Sequence, residues 1–180
     1  VDFAAKHNLE YIILDGGWSG KDITEARKEI NLPELVNYAK EKGVGVILWA
    51  SWKNVMEKMH EAMPLYEKLG VKGMKIDFVD ANDQYVINSV REITEFAAKH
   101  HLIIDWHGMM LNGMQVNYPN IVNIEGVRGL EQCKWQSGAK GTQGADMPGY
   151  DVTICAYAYG TYGLHSGSHA QRHETRLPPH

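Results

Sequence analysis

The chain has 180 residues, 44% of them hydrophobic and 22% charged, so it can bury a core and is not compositionally disordered. A formal net charge of -4 without an Arg/Lys run argues against a nucleic-acid or anionic-membrane partner and favours a small-molecule ligand. There is no apolar run of about 18 residues to predict a membrane span, and Cys133 and Cys155 lack the spacing of a zinc site or a disulfide framework.

Five apolar, β-branched runs alternate along the chain with amphipathic segments. The runs, each predicted to be a strand, are 11 to 15, 44 to 49, 73 to 78, 102 to 106 and 120 to 125. Asn31 is a candidate N-cap of the helix that follows the first strand, and Gly43 and Gly70 are predicted helix ends. In the segment 84 to 100, apolar side chains recur every three or four positions, at Val86, Val90, Ile93 and Ala97. The pattern predicts a parallel sheet covered by helices.

The predicted strand ends are about thirty positions apart, which suits successive units of a (β/α)8 TIM barrel. A whole barrel needs roughly 250 residues, so we expect an incomplete α/β barrel with five strands, or six if "DVTI" (151 to 154) is one. Strands at the front and back of the barrel are then missing from the chain. A Rossmann-like doubly wound sheet is the alternative, although no strand is followed by a Gly-rich phosphate turn.

Acids and indole rings collect at the predicted strand ends, where a parallel barrel places its active site. The set includes Asp15, Trp18, Trp49, Ser51, Trp52, Asp77, Asp80, Asp105, Trp106, His107, Glu125 and Glu131. Any single acid could simply cap the following helix. Four tryptophans beside acids nevertheless favour a polar pocket with aromatic walls, which suits a sugar.

Asp77 is the first candidate for a catalytic carboxylate. Hydrolysis of a glycosidic bond needs two carboxyl groups, one that attacks the sugar or activates water and one that protonates the leaving oxygen. Lys75 shares the face of Asp77, whereas Ile76 and Phe78 point the other way. A purely structural Lys75–Asp77 ion pair is the competing interpretation.

Several segments together closely resemble the catalytic barrel of glycoside hydrolase family 97, which contains α-glucosidases and α-galactosidases. They are "YIILDGGWS", "INLPELVNYAKEKGVGVILWASW", "LGVKGMKIDFVDANDQ", "IIDWHG" and "YPNIVNIEGVRGLE", within about residues 2 to 154. The resemblance implies that Asp77 is the nucleophile of the retaining branch. His107 stands where inverting members are expected to carry a glutamate base. The chain therefore resembles a retaining exo-acting enzyme, with α-galactosides favoured over α-glucosides as substrates.

The resemblance also implies roles for further residues. Glu131 corresponds to the general acid/base, about 5 to 5.5 Å from Asp77 in a retaining enzyme. Glu125 matches a calcium ligand, although calcium takes six to eight oxygens and the family draws part of that shell from an N-terminal β-sandwich. Without the family, Glu125 and Glu131 could be loop acids paired with Arg128.

The remaining implied site residues are substrate contacts. Asp15, Trp18 and Lys75 would bind sugar hydroxyls, with Trp49 and Asp105 also placed at the substrate. His107 could contact the substrate or be a satisfied strand-end histidine, and both interpretations stay open. Members of the family suggest a periplasmic or secreted location.

The βα pattern and the resemblance both stop at Cys155. We therefore predict a barrel portion over 1–154 and a tail over 155–180 without native structure. One set of codons for residues 161 to 172, read one base later, encodes PMDYTPGAMRN, the kind of segment expected after "DVTI". A frameshift near Ile154 or Cys155 would make the spacing of the tail histidines a coincidence, so no metal is assigned to them. An inactive fragment, or a weak carbohydrate-binding piece, is the alternative to an active enzyme.

Overall fold

The computed structural model describes residues 1–109 and 113–126. All five predicted strands are found, with ends that differ from the prediction by at most two residues. The elements are α1 (Asp2–Lys6), β1 (Tyr11–Leu14), α2 (Leu32–Glu41), β2 (Gly45–Ser51), α3 (Trp52–Leu69), β3 (Gly73–Asp77), α4 (Gln84–Lys99), β4 (Ile103–His107), a 3-10 turn (Met114–Val116) and β5 (Ile121–Glu125). The predicted sixth strand at 151 to 154 and the tail lie outside the described residues.

The helices begin and end where the sequence predicts, because their boundary residues satisfy free backbone groups. The Asn31 side chain accepts a hydrogen bond from the Glu34 N–H at 3.3 Å and so caps α2. Gly70 ends α3 in the left-handed conformation, with φ of 87°. Asp83 caps α4 by accepting from the Val86 N–H at 3.0 Å. One of the acids after β3 therefore has a structural role.

The five strands are all parallel and lie in the order β1-β2-β3-β4-β5, so each strand pairs with the next one along the chain. A doubly wound sheet would reverse its order at a switch point. The Rossmann-like alternative is therefore wrong, and the described residues form consecutive βα units of an incomplete TIM barrel. None of the helices in the described ranges is both long and apolar enough to cross a membrane.

The sheet has two contrasting faces because side chains alternate along each strand. One face packs against α2, α3 and α4 and is the hydrophobic core. Its central side chains are almost completely buried: Val46, Leu48, Ala50, Met74, Ile76, Ile104 and Trp106. The other face, which would line the inside of the barrel, carries the polar side chains. We call it the barrel face.

Candidate active site

Strand register arranges the polar side chains of the barrel face in two rows. The inner row is Trp49, Lys75, Asp105 and Asn123, which are register partners across β2, β3, β4 and β5. The outer row, two residues further along each strand, is Ser51, Asp77, His107 and Glu125. Trp49 and Asp105 were predicted to end their strands, and that placement is wrong. β2 continues to Ser51 and β4 to His107, so both residues lie deeper in the barrel.

Asp77 ends β3, and both oxygens of its carboxylate accept a hydrogen bond. Oδ1 accepts from the backbone N–H of Phe78 at 2.7 Å, and Oδ2 accepts from the indole N–H of Trp49 at 3.3 Å. Phe78 has a φ of 65°, a left-handed conformation that is rare for a bulky residue. The carboxylate is therefore held in one orientation at the mouth of the barrel.

Lys75 forms its ion pair with Asp15 instead of with Asp77. The Lys75 ammonium donates to Asp15 Oδ2 at 2.8 Å, and Lys75 is only 7% exposed. Burial is the largest single effect and opposes the charge on both groups. Their mutual hydrogen bond and opposite charges, with the Gly16 N–H on Asp15 and the nearby carboxylates around Lys75, together exceed it, so the pKa of Asp15 is lowered and that of Lys75 raised. The alternative of a structural Lys75–Asp77 ion pair is wrong, because Lys75 forms its ion pair with Asp15, which directly follows β1.

His107 lies between two carboxylates at the ends of β4 and β5. Its Nε2 is 3.0 Å from Asp105 Oδ1, and its Nδ1 is 2.6 Å from Glu125 Oε2. Burial favours the neutral ring, yet the hydrogen bonds and charges of Asp105 and Glu125 together raise the pKa of His107 to about 9. His107 is 3% exposed and carries a charge at neutral pH. Of the two interpretations of His107, the structure supports a strand-end histidine whose ring nitrogens both have partners. A contact between His107 and substrate stays a prediction.

Two of the four tryptophans predicted to wall the pocket lie in the core instead. Trp106 is fully buried on the helix-facing side, and Trp18 is 2% exposed with its ring against Tyr66. The Trp18 indole N–H donates to the Trp49 carbonyl at 2.7 Å. The prediction that Trp18 and Trp106 form part of the pocket wall is therefore wrong. A sugar-binding role for Trp18 stays a prediction, but its N–H is already engaged.

The described residues supply few oxygen ligands for calcium. Glu125 is the predicted ligand, and one of its oxygens is paired with His107. Residues 1–109 and 113–126 contain no group of three or more His, Cys, Asp or Glu side chains that could hold a metal. An oxygen shell of six to eight ligands is not formed by these residues, so no chemical step is derived through calcium.

Glu131 and Arg128 lie outside the described residues. The predicted 5 to 5.5 Å separation of Asp77 and Glu131 therefore stays a prediction, as does the alternative pairing of Glu125 and Glu131 with Arg128. Glu125 itself ends β5 and is not a loop acid.

Sequence reasoning missed Asn123, which belongs to the inner row. Its side-chain amide donates to Asp105 Oδ1 at 2.7 Å, and the residue is 9% exposed. A polar residue two positions before Glu125 on a strand must share its face, and this was the available signal. Asp105 thus receives hydrogen bonds from two strands.

A parallel sheet in sequential order, with acids and a basic side chain at the carboxyl ends of its strands, is the organisation of a (β/α)-barrel enzyme. Comparison with known protein families identifies which (β/α)-barrel family the chain belongs to. The family described as Glycoside hydrolase 97 matches residues 1–127. The chain belongs to glycoside hydrolase family 97.

Two curated relatives are similar over most of the chain. A retaining α-galactosidase of Bacteroides thetaiotaomicron is 42% identical over 158 residues, which cover 86% of this chain and 23% of the relative. A probable retaining α-galactosidase of Streptomyces bingchenggensis is 36% identical over 141 residues, covering 73% of this chain and 22% of the relative. The chain thus spans less than a quarter of the length of these relatives.

Solved structures resemble the fold. A family 97 enzyme of Pseudoalteromonas sp. strain K8 in complex with panose has a TM-score of 0.65 and 26% identity, over 74% of this chain and 25% of that one. The same enzyme in complex with acarbose gives the same values. A β-arabinopyranosidase has a TM-score of 0.62 and 30% identity, over 74% of this chain and 23% of that one.

Proposed function

We propose that the full-length protein that carries this chain is a retaining, exo-acting α-glycosidase with terminal α-galactosides as its substrates. The observation that carries the proposal is the Asp77 carboxylate, which lies at the carboxyl end of β3 with one hydrogen-bond donor on each oxygen. Its position on the barrel face is where enzymes of this fold place catalytic groups. Both curated relatives carry the name of this activity.

The proposed reaction has two displacements. In the first, a carboxylate oxygen of Asp77 forms a bond to the anomeric carbon while the glycosidic C–O bond breaks. Glu131 gives its proton to the leaving oxygen. In the second, Glu131 takes a proton from water, the water oxygen attacks the anomeric carbon, and Asp77 leaves. The configuration is retained because each displacement inverts it. The role of Glu131 rests on the family resemblance.

The ion pair of Lys75 and Asp15 is proposed to bind sugar hydroxyls. The Asp15 side chain is 62% exposed, so its carboxylate is accessible, and Lys75 keeps it charged and in place. An ammonium donates to a hydroxyl oxygen and a carboxylate accepts a hydroxyl proton. Together they can bind neighbouring hydroxyls of one sugar. Asp105 lies deeper, and its described bonds to Asn123 and His107 suit a supporting role.

An α-glucoside is the alternative substrate. It is favoured by the family 97 enzyme of Pseudoalteromonas sp. strain K8, whose structures are complexes with panose and acarbose. Comparing hydrolysis of nitrophenyl α-galactoside and nitrophenyl α-glucoside separates the two. We expect the galactoside to be cleaved with the higher kcat/KM, and the opposite order would assign the enzyme to glucosides.

Calcium and an N-terminal β-sandwich belong to the same proposal for the full-length protein. The described residues offer Glu125 as one ligand, and the remaining oxygens would have to come from elsewhere. Removal of calcium with a chelator should then lower both the melting temperature and the activity, and added calcium should restore them. A chelator without effect on either quantity would remove calcium from the proposal.

The deciding experiment replaces the proposed nucleophile in protein expressed from its full natural coding sequence. Asp77→Asn should abolish hydrolysis of nitrophenyl α-galactoside, whereas Asp80→Asn, an exposed acid three residues away, should not. NMR of the first-formed product from the unmodified enzyme should show the α-anomer. Full activity of Asp77→Asn, or a β-anomeric product, would contradict the proposal.

A second candidate concerns the 180-residue chain by itself, which spans less than a quarter of its relatives. It would be an inactive fragment or a weak carbohydrate-binding piece. A cooperative melting transition together with release of nitrophenol would contradict this, whereas saturable galactose binding without turnover would support it.

A further inference from the structure

We propose that Trp49 is a positioning residue, whose indole N–H orients the carboxylate of Asp77 for attack on the sugar. This inference rests on the proposed function and assigns a different task to a residue expected to contact substrate. The two residues lie on neighbouring strands of the barrel face, with Trp49 in the inner row and Asp77 in the outer row. Their side chains meet diagonally, with Nε1 of Trp49 3.3 Å from Oδ2 of Asp77.

The two donors on Asp77 act on different oxygens. The Phe78 N–H holds Oδ1 at 2.7 Å, and without a second contact the carboxylate could still swing about that bond. The Trp49 N–H on Oδ2 removes this freedom. Each carboxylate oxygen can accept about two hydrogen bonds, so an oxygen with one donor keeps a lone pair for the anomeric carbon. A nucleophile fixed in this way starts closer to its attack geometry.

Trp49 is itself fixed in the fold. Its carbonyl accepts the buried Trp18 N–H at 2.7 Å, and its ring meets the Phe78 ring edge-to-face, with centroids 5.8 Å apart and planes at 80°. The indole nitrogen can only donate, and the carboxylate is the acceptor that it reaches. The buried Trp18 thus supports the site from the core, through the backbone of Trp49.

The backbone at Phe78 supports the same arrangement. Its left-handed conformation is unfavourable for a side chain of that size. Phe78 directly follows Asp77, and with this backbone conformation its N–H donates to Asp77 Oδ1. The same conformation is the one in which the Phe78 ring packs against Trp49. Residues in such conformations persist where the surroundings fix them, and they concentrate at active sites.

Positioning and sugar binding predict different kinetics. Trp49→Phe keeps an aromatic face and removes the N–H together with one ring of the indole, so the benzothiophene analogue, which removes the N–H alone, is the matched control. If Trp49 orients Asp77, kcat should fall about ten- to a hundredfold, the factor expected for one hydrogen bond to a charged group, with KM within about twofold. If Trp49 is a platform for the sugar, KM should rise and kcat should stay the same, which would overturn the proposal.

A double-mutant cycle tests whether Trp49 acts through Asp77. In Asp77→Gly, added azide can replace the carboxylate. Its terminal nitrogen bonds to the anomeric carbon, the bond to nitrophenolate breaks, and the nitrophenolate carries away the electron pair. Adding Trp49→Phe to this variant should change the azide-dependent rate by less than about threefold, since no carboxylate remains to be oriented. An equal loss in both backgrounds would overturn the proposal.

The outcomes separate this inference from the proposed function. Full activity of Asp77→Gly without azide would contradict the nucleophile itself. An inactive Asp77→Gly together with an unaffected Trp49→Phe would contradict only the positioning role. If Trp49→Phe does not fold, as judged by circular dichroism, the indole at position 49 can be replaced by its benzothiophene analogue. That analogue has nearly the same shape without the N–H, and the same loss in kcat is expected.

Discussion

The two faces of one sheet differ in almost every physical respect. On β3, Ile76 is completely buried against the helices, while its neighbours Lys75 and Asp77 lie on the barrel face with charged and hydrogen-bonded partners. The helix-facing side gains stability from removal of apolar area from water. The barrel face places charges where water is scarce, which costs free energy unless each has a partner. Adjacent residues of one strand thus serve stability and chemistry separately.

The largest effect on stability should come from Ile76→Ala in the full-length protein. It removes a fully buried side chain and should lower the free energy of unfolding by about 2 to 5 kcal/mol. Urea unfolding followed by fluorescence measures this. Val116→Ala is the matched control, because Val116 lies in the 3-10 turn and is 82% exposed, and should cost less than about 1 kcal/mol. Equal losses would mean that the helix-facing side is not the core of the intact protein.

His107 should make stability depend on pH. Its pKa of about 9 exceeds the ordinary value near 6.5, so the charged form is favoured by folding. The contribution, up to roughly 3 kcal/mol, is fully present below about pH 6.5 and is lost as the pH rises through about 9. Unfolding of chelator-treated protein should show this decline, and His107→Gln should flatten it. An unchanged slope in His107→Gln would contradict the assignment.

Lys75→Met should lower kcat/KM by a larger free-energy equivalent than it lowers the free energy of unfolding. Asp15 would lose its partner but is exposed enough to be solvated, so unfolding should change by less than about 1 kcal/mol. Loss of a charged hydrogen bond to the sugar should lower kcat/KM about ten- to a hundredfold. Lys72→Met, an exposed residue beside the same strand, should leave both quantities unchanged. A large loss of stability with normal kcat/KM would make Lys75 a structural residue.

The smallest effect is expected at the start of α4. Asp83→Ala removes the cap on the Val86 N–H and should cost about 1 kcal/mol in unfolding without changing kcat. Asp80→Ala, an exposed acid in the same loop, should be neutral in unfolding. A loss of turnover in Asp83→Ala would place this acid in the active site after all.

Local features were predictable, and partners distant in the chain were not. The strands, the Asn31 cap and the buried positions of α4 follow from periodicity and from the chemistry of helix ends. The Rossmann-like alternative could be rejected only from strand order, which no local pattern contains. The same holds for Lys75, whose partner Asp15 is 60 residues away and is brought near by the register of β1, β2 and β3.

The wrong prediction for Trp18 and Trp106 has a different physical reason. Trp106 lies between Asp105 and His107, both on the barrel face, so alternation alone predicts that Trp106 faces the helices. The residue type of Trp106 favours a pocket wall, but its position on the strand decides which face it occupies. Alternation does not apply to Trp18, because it lies in the loop between β1 and α2, where its ring packs against Tyr66.

The donor that holds Oδ1 of Asp77 is a main-chain amide. Every residue except proline would supply it at position 78, so this one contact does not depend on the side chain there. The ring at this position is 57% exposed and meets Trp49 edge-to-face, so an exchange there changes the packing on Trp49 while the amide stays on the carboxylate. One position thereby combines a contact that belongs to every backbone amide with a side chain that the contact does not specify.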